Sequence, residues 1–197
     1  MNDLVFNNDS NNDATPLTHD EINGLIPSYI TLRRELNEAE HINITEAEEW
    51  AFNRKRDVLN EAFLRSLHKR MFKDVWRWAG ELRTTLPSIG VYPWKIEPML
   101  HDLIEDARYW VQHGTFPPDE IVTRFHHRLV LIHPFQNGNG RHARLASDLL
   151  LIKLGQERFT WGQISLLNAG EARSQYIAAL RAADAHDIQP LLAFVRS

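Results

Sequence analysis

The stretch HPFQNGNGRHAR, from His133 to Arg144, decides how this chain is read. It joins two runs of helical apolar spacing. Pro134 ends the first run at or before His133, because a proline ring crowds a helical residue placed before it. Gly138 and Gly140 let the backbone turn tightly and offer its N–H groups to an anion. A helix is predicted to start at Asn139, so its positive end points at the same place. Arg141 and Arg144 are three apart, which predicts one helix face and convergence on one polyphosphate. His133, at the other lip of the loop, is a residue type able to take a proton near neutral pH. Each feature alone is common in ordinary helical proteins. Gathered within twelve residues, they describe a site for reaction at phosphorus.

Working outward, the spacing is helical on both sides. Val58, Phe63, Leu67, Met71 and Val75 form a stripe that is predicted to carry a helix to Trp78. Met99, Ile104, Ala107 and Val111 mark another from about Pro98 to His113, stopped by Gly114. Pro118 and Asp119 open the next, with Ile121, Phe125, Leu129 and Ile132 on its buried face. A helix from near Asn139 to Gly155 follows the glycine loop, and shorter ones are predicted over Glu171–Ala185 and Pro190–Val195. On the N-terminal side, Thr45 with Glu48 reads as a capping box. The exception is RTTLPSIGVYPW, Arg83 to Trp94, whose Thr, Pro, Gly and β-branched residues suit a short β-hairpin or extended flap. The fold class is all-α with one small β excursion.

Bulk properties narrow the classes. The chain has 197 residues with 43% hydrophobic and 24% charged, enough for one core. Six tryptophans offer bulky material for it. Without cysteine, a disulfide framework, a thiolate nucleophile and a Cys-held metal are excluded. The net charge of −4 gives no broad basic footprint for nucleic acid. No run is long and apolar enough for a membrane span, and the Asn- and Asp-rich start lacks the pattern of a secretory signal, so a cytoplasmic location is expected. Three segments are expected: a disordered tail over 1–15, an N-terminal helical segment over 16–50 and a core over 51–197. The histidines show no HExxH spacing, and His126 and His127, being adjacent, face different ways. The basic residues Arg65, Lys69, Arg70 and Lys73 read as a solvated helix face.

HPFQNGNGRHAR resembles the Fic signature HPFx(D/E)GNGRxxR at every specified position but one. WRWAGELR (Trp76 to Arg83) and RSQYIAAL (Arg173 to Leu180) are similar to the surrounding family context, so the resemblance covers roughly Leu25 to the end. Within the Fic/Doc family the pattern is closest to the bacterial subgroup called mobile mystery protein B. The resemblance implies a Fic-type helical bundle and a protein adenylyltransferase that moves AMP from ATP to a Ser, Thr or Tyr hydroxyl. It implies His133 as base, Phe135 as the loop's anchor in the core, and Gly138, Asn139 and Gly140 around the α- and β-phosphates. Arg141 would clamp the β-phosphate and Arg144 reach the γ-phosphate. The flap residues Thr84, Thr85, Ile89, Gly90 and Val91 would register the target chain by β-augmentation. A helix-turn-helix protein is an implied partner, as in toxin–antitoxin-like pairs.

The departure is Asn137, where the family usually has the Asp or Glu that holds Mg²⁺; a neutral carbonyl oxygen is a weaker ligand for that hard cation. The family's inhibitory pattern (S/T)xxxE(G/N) is met over Thr31 to Glu35, with Leu36 replacing the last residue. It implies Glu35 paired with Arg144, with Glu38 and Glu40 as rival carboxylates. Two other functions stay open: a Doc-like kinase transferring the γ-phosphate, and a nucleotide-binding regulatory module that Asn137 has made inactive.

Overall fold

The structure is a computed structural model and describes residues 19–86, 89–163 and 169–197. The tail expected over 1–15 lies outside these. Eight α-helices follow in chain order among the described residues: α1 His19–Gly24, α2 Arg33–Phe52, α3 Glu61–Phe72, α4 Ile96–His113, α5 Pro118–Ile132, α6 Asn139–Lys153, α7 Ala169–Asp184 and α8 Gln189–Val195. A single 3₁₀ turn, Pro93–Lys95, leads into α4. No sheet forms among the described residues, and an isolated antiparallel bridge joins Leu25 to Trp76. The helical class read from the sequence is the class observed.

Helices α5 and α6 form the centre. The α5 face predicted as buried is so at Ile121, Phe125, Leu129 and Ile132, and α6 is buried over most of its length because α2, α3 and α5 all pack on it. An all-round buried helix must carry small and aliphatic residues on every face, as Ala143, Leu145, Ala146, Leu149 and Leu150 do. Helix α2 packs on α3, where the guanidinium groups of Arg56 and Arg70 lie 4.0 and 4.1 Å from the Trp50 ring centroid. Arg70 is exposed, as expected of a solvated face, and its guanidinium also covers the Trp50 ring. Helix α7 packs on α8.

Three expectations are corrected. Thr45 does not start a helix: it lies inside α2, its hydroxyl donating to the His41 carbonyl one turn back. The true start is at Leu32, and Glu35 supplies the carboxylate that caps it. Helix α3 stops at Phe72, six residues short of Trp78, because the chain turns there to reach the Leu25 bridge. The tryptophans divide as well: Trp76 is core at 2% exposure, whereas Trp94 stands 69% exposed, stacked on Tyr92.

Candidate active site at the start of helix α6

The site is built where α5 ends and α6 begins. His133 is the residue after α5 and adopts the left-handed conformation, φ 53° and ψ 60°. Pro134 disfavours the right-handed alternative there, and a non-glycine residue in this region is strained by about 1–2 kcal/mol. The His133 N–H still donates to the Leu129 carbonyl at 3.3 Å. Its imidazole Nδ1 is buried, away from any substrate. Burial first, and the Arg83 cation second, push its pKa down to about 4, against the opposing influence of the Val130 carbonyl. His133 is therefore a neutral imidazole at pH 7, able to accept a proton.

The loop that follows is pinned from inside. Phe135 is fully buried, its ring stacked 3.7 Å from that of His68 and edge-on to His142. Asn139 holds both ends of the turn: its Oδ1 accepts the Phe135 N–H at 2.9 Å and its Nδ2 donates to the Phe135 carbonyl at 2.8 Å. The Asn139 side chain is therefore a staple of the loop, spent on Phe135. His68 reads the loop from α3. Its Nδ1 accepts the Gly80 N–H, so its Nε2 carries the proton and donates to the Asn137 carbonyl at 3.0 Å. Burial holds His68 well below the usual histidine range, in keeping with this neutral form.

Gly138 is the N-cap of α6 with φ 75°. A Cβ there would lie 2.4 Å from the Phe72 ring, so no side chain fits. His142 is the residue whose N–H closes on the Gly138 carbonyl. The amides of Asn139, Gly140 and Arg141 are the first-turn donors that a helix leaves without intrahelical partners, a position suited to an anion.

The two arginines part company. Arg141 Nη1 donates to Glu40 Oε2 at 2.8 Å, and Glu40 Oε1 accepts the Trp76 indole N–H at 2.7 Å. The Arg144 guanidinium lies over the Tyr176 ring at 4.9 Å and the Trp161 ring at 5.6 Å. Three residues along a helix leave two stems about 60° apart, and here one reaches towards α2 and the other towards α7. Each guanidinium thus has its own set of neighbours.

Glu35 is at neither arginine. Its carboxylate accepts the N–H groups of Thr31 at 2.9 Å and Leu32 at 3.1 Å, and these two bonds hold its pKa below the usual carboxylate range. The carboxylate that meets a signature arginine is Glu40, on Arg141.

Asn137 also differs from the family pattern in geometry. Its Oδ1 accepts the Gly138 N–H at 2.6 Å, so the neutral oxygen is already engaged by the loop. Among the described residues no group of three or more His, Asp and Glu could hold a metal ion. These residues do not fit a Mg²⁺ held by the protein itself.

The flap is extended instead of a paired hairpin, with residues 87 and 88 outside the described set. Each arm bonds to the turn at His133: the Arg83 N–H donates to the Pro134 carbonyl at 3.0 Å and the Val91 N–H to the Ile132 carbonyl at 3.4 Å. The Arg83 side chain bonds carbonyls of both arms, at Thr85 and Val91. Thr84, Thr85, Ile89 and Gly90 are exposed and Val91 is half-buried. Sequence reasoning gave Arg83 no role and ranked Glu40 only as a rival. Their partners lie 50 and 101 residues away, and no local pattern signals them.

Comparisons with known proteins agree with this geometry. The model of the Fic/DOC family matches residues 58–151, from the residues before α3 to the end of the α6 core. Protein adenylyltransferase fic-1 of Caenorhabditis elegans is 32% identical over 124 residues, covering 59% of this chain and 22% of the relative. Protein adenylyltransferase Fic of Drosophila grimshawi is 30% identical over 119 residues, covering 59% and 23%. The chain thus spans about a fifth of the length of these curated relatives. Among solved structures, the BepC protein of Bartonella tribocorum with bound AMPPNP superposes with a TM-score of 0.68 at 18% identity, covering 91% of this chain and 97% of that one. Fic-1 of C. elegans, residues 134–508, gives 0.66 at 24% identity, covering 87% and 50%. With the helical fold and the signature loop in place, residues 58–151 of this chain are what matches the Fic/DOC family, and the likeness holds for that stretch.

Proposed function

We propose that this chain transfers AMP from ATP to a Ser, Thr or Tyr hydroxyl of a target protein. The observation that carries the proposal is the facing of two groups across one loop. A neutral imidazole, His133, stands on one lip, and the unsatisfied first-turn amides of α6 with Arg141 stand on the other. The names of the curated relatives support the same reading.

In the proposed reaction the target hydroxyl gives its proton to His133 Nε2 as its oxygen attacks the α-phosphorus of ATP. The bond from that phosphorus to the oxygen bridging the β-phosphate breaks, and pyrophosphate leaves with the electron pair. The proton on His133 returns to pyrophosphate or solvent. The amides of Asn139, Gly140 and Arg141 and the Arg141 guanidinium stabilise the charge on the phosphates, the largest contribution expected of such a site. His133 contributes about 10²–10⁴-fold. Any Mg²⁺ would have to be held by the nucleotide's own phosphates and water, so no step is assigned to it.

Regulation by the N-terminal helix belongs to the same reading, with Glu40 as its carboxylate in place of Glu35. Glu40 is 4% exposed and occupies the arginine that a phosphate would use. Control in trans by a helix-turn-helix protein rests on the subgroup resemblance.

The test is labelling of bacterial lysate by the wild type, Glu40→Gln, Glu35→Gly and His133→Ala with ATP labelled at the α- or the γ-phosphate. Protein labelling from the α-label alone, lost in His133→Ala, is the expected result. Labelling from the γ-label alone would make the chain a kinase. ATP binding with no labelling by any variant would make it a nucleotide-binding regulatory module.

A further inference from the structure

Arg83 is 5% exposed, yet none of its side-chain hydrogen bonds among the described residues reaches a carboxylate. All go to backbone carbonyls: Nε to His133 at 2.6 Å, Nη1 to Thr85 at 2.9 Å, and Nη2 to Val91 at 2.5 Å and Ile132 at 3.3 Å. A buried charge without a counter-ion is costly. This one is held by four oriented carbonyl dipoles, and burial pushes its own pKa down. A neutral side chain or a direct backbone pairing would fill the same space at lower cost if packing were all that was required.

The carbonyls belong to three separate pieces of chain. Thr85 is on one arm of the flap, Val91 on the other, and Ile132 and His133 lie at the left-handed turn that ends α5. Gly90 lies so near both groups that a Cβ on it would be 2.6 Å from His133 Cβ and 2.8 Å from Arg83 Nη2. The strained His133 residue is therefore held by a guanidinium on its carbonyl and by the close approach of a glycine to its Cβ, both supplied by the flap segment.

We infer that Arg83 is a positioning residue that fastens the flap and His133 into one rigid unit, so that a target segment registered on the flap is by the same contacts registered against the base. The geometry stands by itself, whereas the catalytic consequence rests on the AMP-transfer reading. A lysine cannot reproduce the arrangement, because one ammonium lacks the planar fork that reaches several carbonyls at once. The guanidinium is also the charged group acting on the His133 ring, the other influences being burial and the Val130 carbonyl.

The experiment uses the full chain with ¹³C-labelled histidine and ¹⁵N-labelled backbone, in the wild type, Arg83→Met and Arg83→Lys. Folding is checked by circular dichroism. Arg83→Met is expected to move the His133 titration midpoint from about 4 towards the ordinary 6.5. It should also speed hydrogen exchange of the Val91 amide by about five- to tenfold, the size of one lost hydrogen bond. Arg83→Lys restores the low midpoint through its charge and leaves the Val91 exchange fast, which separates the field from the clasp. A folded Arg83→Met with an unchanged His133 midpoint and unchanged Val91 exchange would overturn the inference. If only Arg83→Lys folds, an unaltered Val91 exchange in it overturns the inference in the same way. These readouts need no turnover, so they fail separately from the AMP-transfer reading. Where turnover is measured, the loss is expected in kcat and in KM for the target protein, with KM for ATP unchanged.

Discussion

Glu40 and Arg141 meet at 2.8 Å across 101 residues of chain, joining the middle of α2 to the first turn of α6. The second Glu40 oxygen is held by the Trp76 indole. Both Glu40 oxygens are committed, and one N–H of Arg141 is spent on Glu40, so a phosphate at Arg141 would share the guanidinium with a carboxylate. Under the proposed function, this contact would set α2 against a nucleotide phosphate for the same guanidinium.

Replacing Glu40 by Gln removes the charge and keeps an acceptor for Trp76. ATP affinity is then expected to rise about tenfold, within the coupling energies usual for competing contacts, as measured by calorimetric titration. Glu35→Gly, which removes the cap of α2, is expected to loosen the start of that helix and leave ATP affinity within about twofold of wild type. An equal gain from Glu35→Gly would move the inhibitory role back to that residue.

Buried neutral histidines make stability depend on pH. His126 is lowered to about 3, and His133 and His142 to about 4, each mainly by burial. Between these values and the unfolded value of about 6.5, the unfolded chain binds more protons than the folded one. Stability from these groups is therefore complete above about pH 6.5 and is lost as pH falls towards 4. A single such histidine contributes on the order of 3 kcal/mol at full extent. Urea unfolding at pH 7.5, 6 and 5 is expected to show a falling midpoint. His142→Gln, whose Nε2 partner is the Leu64 carbonyl, should make that fall shallower. A midpoint constant over this range would show that these rings are not buried neutral.

Much of this site was legible because the chemistry is concentrated. His133, the glycines and Arg141 sit in one stretch whose Pro134 and Gly138 dictate where one helix stops and the next starts, so the local geometry followed from local rules. Long-range partners were not legible. The carboxylate facing Arg141 could be Glu35, Glu38 or Glu40 on sequence alone, since a charged helix shows no preference among its acids until its packing is known. Thr45 and Glu48 matched a capping pattern, but tertiary contacts on both sides of α2 carry the helix straight through them. Arg144 was expected beside Arg141 because spacing fixes a face; the aromatic rings of Trp161 and Tyr176, which draw it away, come from later segments.

Asn137→Asp tests the metal-ligand position directly. Its Oδ1 bonds the Gly138 amide, a contact that an aspartate retains while adding a charge and a second oxygen. ATP binding is expected to gain a Mg²⁺ dependence, with affinity at 5 mM Mg²⁺ at least about tenfold above that in EDTA. In the wild type the same ratio is expected to stay within about threefold. A strong Mg²⁺ dependence already present in the wild type would show that Asn137 swings off Gly138 to bind the ion.

Gly138 and Gly114 separate backbone strain from steric exclusion. Both adopt positive φ, 75° and 58°, as helix caps. A Cβ at Gly114 meets nothing within 4 Å, so Gly114→Ala pays only the conformational cost of about 1–2 kcal/mol. At Gly138 the same Cβ runs into Phe72 at 2.4 Å, and Phe72 is fully buried beneath the loop, with no room to withdraw. Gly138→Ala therefore adds overpacking of about 1–3 kcal/mol. It also displaces the first-turn amides that the nucleotide needs. Denaturant unfolding should show the larger loss for Gly138→Ala, and ATP titration should show binding lost in it but retained in Gly114→Ala. Equal losses of stability with ATP binding intact in both would mean that Phe72 yields and that the cradle does not depend on the closeness of this packing.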